Sequence, residues 1–204
     1  VDVGGAARAA TVIKQLRDEV DNSLLVDAGG RFTGTLFHRV YAGQDNVQIM
    51  NALGYQAMVL GSPEFDNGDQ TLAQFIRNVN FPVLGANIDA SESDVLADLI
   101  QPSAIVDVNG TAVGVIGVTT ADAPRVSSPG RDLIFSPDYR GSVQAQVDAL
   151  TEQGINKIIL LSYLGYDEDL ALAPELRGVD LIVGGNTRTL LSNTDAEAAG
   201  PYPA

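Results

Sequence analysis

The 204 residues carry 26 acidic against 12 basic side chains, a formal charge of −14, with a single histidine and no cysteine. That charge excludes a phosphate-backbone partner, and the missing thiols exclude disulfides, thiolate metal sites and cysteine nucleophiles. With 45% hydrophobic residues and no apolar run near the ~20 residues that a membrane helix needs, the chain reads as one soluble globular domain with a sizeable core.

In chain order, Ala9, Val12, Ile13, Leu16 and Val20 recur three or four apart and predict a helix over 6–20. Residues 23–27 read as a short buried strand that stops at Ala28-Gly29-Gly30. A helix over 46–53 follows, with Gly54 as its C-cap. Next come a strand over 57–60 stopped by Gly61-Ser62-Pro63, a helix over 70–79 and a strand over 82–86. Residues 104–108 and 112–118 flank Asn109-Gly110, the pair that favours a type I′ hairpin turn. A Pro/Ser/Gly-rich loop over 121–130 leads to a helix over 142–153, a strand over 157–161, a short helix over 168–173 and a last strand over 179–183. Beyond Leu191 the residues are small and polar, and an exposed loop is expected. Alternating strands and helices with one hairpin imply a layered α/β domain containing mixed sheet. The strands end in small-residue loops, at the edge where open α/β sheets bind ligands.

Ten blocks in order carry a resemblance: Gly4-Gly5-Ala6-Ala7-Arg8, Leu24-Leu25-Val26-Asp27-Ala28-Gly29, Phe32-Thr33-Gly34-Thr35, Met50-Asn51-Ala52-Leu53-Gly54-Tyr55, Glu64-Phe65-Asp66, Phe81-Pro82-Val83-Leu84, Ala86-Asn87-Ile88, Gly114-Val115-Ile116-Gly117, Leu164-Gly165-Tyr166 and the run from Gly178 to Gly185. Over about residues 4–203 the chain resembles the 5′-nucleotidase branch of the calcineurin-like metallophosphoesterases. The resemblance implies a sandwich of mixed β-sheets flanked by helices, spanning 1–204. It also implies hydrolysis by two divalent ions that bridge a hydroxide for in-line attack on phosphorus.

The same resemblance marks where this sequence departs. The family's Gly-Asp carboxylate falls at Gly30, its Gly-Asn-His-Glu amide and histidine at Ser62 and Pro63, its Ser-His-Leu-Gly imidazole at Tyr163, and its Gly-Gly-His-x-His pair at Asn186 and Arg188. Glycine and proline offer no donor atom, arginine repels a metal, and serine and asparagine are weak neutral ligands. The expectation is a degenerate site with no catalytic residue, no cofactor and no metal. The family's first metal motif would lie before Val1, its last strand after Ala204, and its nucleotide-recognition domain is not in this sequence.

Of the polar residues left, Asp27 is expected to bond loop backbone, and Glu64 and Asp66 to satisfy backbone donors in their turn. His38 reads as an ordinary helix residue. Asp66-Asn67-Gly68-Asp69 lacks the terminal glutamate of a calcium loop. Arg188 with Arg31 could form an anion patch, against the plainer reading of ion pairs. Ser62 and Ser162 lack a base for serine hydrolysis. The function expected is a non-catalytic structural or interaction module of a secreted, periplasmic or cell-surface protein, partnered by other segments of a larger chain or by proteins of an extracellular assembly. The alternatives are a metal-dependent 5′-nucleotidase and a module that binds an anion or small ligand in the emptied cleft.

Overall fold

A parallel run of three short strands and a longer mixed sheet face each other across a shared apolar layer, as a computed structural model shows. It describes residues 4–33 and 36–204; the side chains of Phe37, His38 and Arg39 fall outside the described set, and the expectation for His38 falls with them.

Helix α1 (Ala6–Asp18) leads to β1 (Val26–Asp27), α2 (Leu36–Tyr41), α3 (Gln44–Leu53), β2 (Ala57–Val59), a 3₁₀ turn (Ser62–Phe65), α4 (Asp69–Asn78), β3 (Val83–Leu84) and β4 (Ile88–Asp89). The second half comprises β5 (Ser103–Val108), β6 (Thr111–Thr119), α5 (Ala123–Val126), β7 (Ile134–Phe135), α6 (Tyr139–Glu152), β8 (Ile158–Tyr163), α7 (Tyr166–Leu172), a second 3₁₀ turn (Ala173–Glu175) and β9 (Leu181–Gly184). Strands β1-β2-β3 form one parallel sheet and β5-β6-β8-β9 the other, antiparallel only in its β5-β6 hairpin. At the hairpin tip both Asn109 (φ 50°) and Gly110 (φ 81°) take the left-handed conformation that a type I′ turn demands.

Burial explains the layering. Ala57, Val59 and Leu84 of the first sheet meet Val113, Val115, Leu161 and Tyr163 of the second. Gly117 permits the closest approach, since a Cβ there would lie 2.5 Å from the Leu84 Cβ. On the outer face of the first sheet, Met58 and Leu60 pack with Val47, Met50, Leu72 and Phe75 from α3 and α4. On the outer face of the second, Ile116, Val118, Ile158 and Leu160 pack with Val143, Val147 and Leu150 of α6. The result is helix, sheet, sheet, helix, with the central strands β2, β6 and β8 placing alternate residues in two apolar layers.

Several boundaries differ from the sequence expectation, each for a local reason. Strand β1 is two residues long because its partner β2 starts only at Ala57; Leu25 is met by the Gln56 side chain, whose Oε1 accepts its N–H at 3.2 Å. The loop over 121–130 contains α5, where Pro124 sits in the first turn and its missing N–H is harmless. Helix α6 starts at Tyr139, ahead of the predicted 142: Gly141 disguises a first turn that Asp138 caps by accepting the Gly141 N–H at 2.8 Å. Strands β4 and β7, paired with each other, are too short to leave a periodic signal. Among the described residues no helix is long and apolar enough to cross a membrane.

Candidate functional site

The loops leaving β1, β2, β8 and β9 converge at one edge of the sandwich. A Cβ on Gly185 after β9 would lie 2.5 Å from the Ala28 carbonyl oxygen after β1, and one on Gly29 would lie 2.9 Å from the Gly61 nitrogen after β2. Gly29 (φ 86°) and Gly30 (φ 83°) are successive left-handed residues, a geometry that turns the following N–H groups inward.

Tyr163, the last residue of β8, projects between these loops. A Cβ would meet its ring at 2.9 Å from Gly29, 3.1 Å from Gly30 and 2.7 Å from Gly61, so the ring lies on a floor of three glycines. Burial raises the phenol pKa; the Glu64 charge adds to this, Arg188 opposes it and Asp66 reinforces it. Tyr163 is therefore held as a neutral phenol.

Glu64 is wholly buried and accepts four backbone N–H groups. Its Oε2 takes Gly30 (3.0 Å) and Gly61 (2.7 Å); its Oε1 takes Arg31 (2.5 Å) and Phe32 (3.1 Å). Burial pushes this carboxyl from 4.5 up to about 7, against the pull of those four donors. Asp27 accepts the Gly29 N–H at 2.9 Å and ion-pairs with Arg31 at 2.5 Å. The Arg31 guanidinium also donates to Tyr55 Oη at 2.6 Å and stacks over that ring, 5.4 Å from its centre.

Not all six positions singled out from sequence meet. Gly30 and Tyr163 touch, and Ser62 and Pro63 lie in the 3₁₀ turn that presents Glu64. Asn186 (φ 72°) and Arg188 (φ 55°) are exposed, in a turn beyond β9, where Asn186 Nδ2 donates to the Leu164 carbonyl at 3.2 Å. Asp66 accepts from Ser127 Oγ at 2.6 Å rather than from a backbone N–H of its own turn. Arg31 is committed to Asp27 and Tyr55, which leaves Arg188 without it for an anion patch. Ser162 donates to Asp169 Oδ1 at 2.5 Å on the sheet face away from Tyr163. Asp69 accepts the Gly130 N–H at 3.0 Å, so it serves a distant loop. Tyr55, Ser127 and Asp169 escaped the sequence reading because each is separated by 7 to 61 residues from the group it serves. Among the described residues no three His, Cys, Asp or Glu side chains converge as a metal-binding group.

Two facing sheets with outer helices and a loop-lined edge define a calcineurin-like phosphoesterase fold. A calcineurin-like phosphoesterase of Bacillus subtilis shares it, with TM-score 0.78 at 24% identity over 98% of this chain and 67% of that one. No family model matches the chain. It is 43% identical to the 5′-nucleotidase of Diplobatis ommata over 98% of its own length and 36% of that protein's. It superposes on the 5′-nucleotidase precursor of Thermus thermophilus with TM-score 0.95 and 43% identity, covering 99% of this chain and 40% of that one. The chain belongs to the 5′-nucleotidase branch of the calcineurin-like phosphoesterases, and it spans little more than a third of the length of the relatives it matches.

Proposed function

We propose that the chain is a non-catalytic 5′-nucleotidase-type domain, kept as a structural or interaction module. The observation that carries this reading is the Tyr163 ring lying on Gly29, Gly30 and Gly61 at the meeting point of the strand-end loops. The donor chemistry supports it. A pair of divalent ions needs several carboxylates or imidazoles. Gly30 and Pro63 have no side-chain donor, Tyr163 is held protonated, and Arg188 is a fixed cation. The residues present therefore do not fit a dinuclear centre. The inward N–H groups that could receive a phosphate are already taken by Glu64, so a phosphate bound in the cleft would need other donors.

In this reading residues 1–204 act as one domain whose partners are other segments of a larger chain or proteins of an extracellular assembly. An extracellular, cell-surface or periplasmic setting accords with the acidic balance of −14 and with the word precursor in the name of the Thermus relative.

A second reading, a working metal-dependent 5′-nucleotidase, is favoured by 43% identity to a protein of that name. One experiment separates the two. Protein loaded with zinc, manganese or magnesium is dialysed, analysed for bound metal and assayed against nucleoside monophosphates. The proposal expects less than one tightly held ion and no turnover above the buffer rate. Two equivalents of metal with chelator-sensitive release of phosphate would sink it.

A further inference from the structure

Glu64 presents a carboxylate to a ready-made anion site. Its two oxygens accept from Gly30, Arg31 and Phe32, three successive N–H groups on the loop after β1, and from Gly61 at the end of β2, all at 2.5–3.1 Å with the side chain at 0% exposure. Successive inward N–H groups that follow left-handed glycines make an anion-binding concavity, and Gly29 and Gly30 supply that geometry. The donors come from two chain segments about 30 residues apart, and each oxygen of Glu64 has two of them. The carboxylate thereby joins the loops after β1 and β2, which also form the floor beneath Tyr163.

We propose that this four-donor nest is a carboxylate-binding site occupied by the protein's own Glu64, and that the same nest binds a small external carboxylate when the Glu64 side chain is cut back. Bonds to an ionised acceptor are the stronger class, and buried N–H groups left without a partner are costly, so the emptied nest has reason to take up an anion. Formate reproduces the carboxyl group and omits the rest of the side chain, which suits the space that Glu64→Ala creates. Phosphate is tetrahedral and larger than the planar carboxyl group that the four donors surround. Catalysis does not enter, because only loop backbone and one side chain are involved.

The test is thermal unfolding of the full chain at pH 8, with and without Glu64→Ala, under titration with sodium formate, using sodium chloride at matched ionic strength as the control. The expected result is a lower melting temperature for E64A that recovers by about 3–5 °C in a saturating manner with formate. The unsubstituted chain should show only the change that chloride produces. Equal responses of the two proteins to formate, or an E64A melting temperature equal to that of the unsubstituted chain, would overturn the proposal. Should E64A not fold in chloride, its refolding decides: recovery of folded protein in sodium formate but not in sodium chloride at matched ionic strength is expected, and no recovery with formate would overturn the proposal.

Discussion

Glu64 bonds the strand-end loops and Tyr163 packs on their glycines, and both contacts can be tested by single substitutions. Glu64→Gln keeps the shape of the side chain but turns an NH₂ group toward two N–H donors, which should cost about 2–4 kcal/mol, read as a lowered urea midpoint. The pH dependence follows from the raised pKa. The folded carboxyl holds its proton more tightly than the unfolded one. The cost of burying the ionised form is therefore absent below about pH 4.5 and fully incurred as pH rises through about 7, where it offsets part of what the four N–H bonds contribute. That cost is on the order of 3 kcal/mol, and urea titrations between pH 4.5 and 8 should show it for the unsubstituted chain and not for E64Q. Gly61→Ala would put a Cβ 2.7 Å from the Tyr163 ring, at an ordinary φ of −104°, so the penalty comes from the ring and not the backbone. We expect about 1–3 kcal/mol for Gly61→Ala alone. In the Tyr163→Ala background the penalty should nearly vanish, and a double-mutant cycle would expose that coupling.

At the scale of elements, burial separates the strands that build the sandwich from a helix that lies against it. Leu161 of β8 is fully buried between the sheets, whereas α1 has no buried residue and leaves Val12 51% and Leu16 57% exposed. Leu161→Ala should cost about 2–5 kcal/mol, while Val12→Ser should stay within about 0.5 kcal/mol; denaturant titration of both variants checks the contrast. Helix α1 is held instead by Arg17, which donates to the Leu53 carbonyl at 2.8 Å and the Gly54 carbonyl at 3.1 Å, at the C-terminal end of α3. The periodic apolar stripe that made α1 easy to read in the sequence thus does not report its burial. The long strands β6 and β8, and the hairpin turn that joins β5 to β6, were legible because hydrophobic runs and Asn-Gly act locally. Strands β4 and β7, two residues each, exist only because they meet each other, and a sequence leaves no mark of that meeting.

For the whole molecule, a formal charge of −14 means net self-repulsion in the folded state. Raising sodium chloride from about 20 to about 200 mM shortens the screening length to below about 10 Å, and the melting temperature should rise by a few degrees. A flat response would show that the acids are already neutralised in pairs. Only three ion pairs occur among the described residues, and two of them are exposed neighbours on one helix or turn, so little such neutralisation is expected.

The sequence alone determined the layered α/β class and the kinship with 5′-nucleotidases, and the residues Gly30, Ser62, Pro63, Tyr163, Asn186 and Arg188 are what prompted the proposal that the family's ligand side chains are lost. These follow from residue identity and local periodicity, which the chain carries wherever it folds. Only the tertiary structure decided what stands in the cleft instead. That Tyr163 rests on three glycines, that Glu64 gathers four N–H groups from two loops, and that Arg31 is spent on Asp27 and Tyr55 all depend on strands distant in sequence ending side by side. The physical reason is that backbone donors and ring faces are common to every sequence of this kind. Their use is fixed by where the sheet edges bring them together.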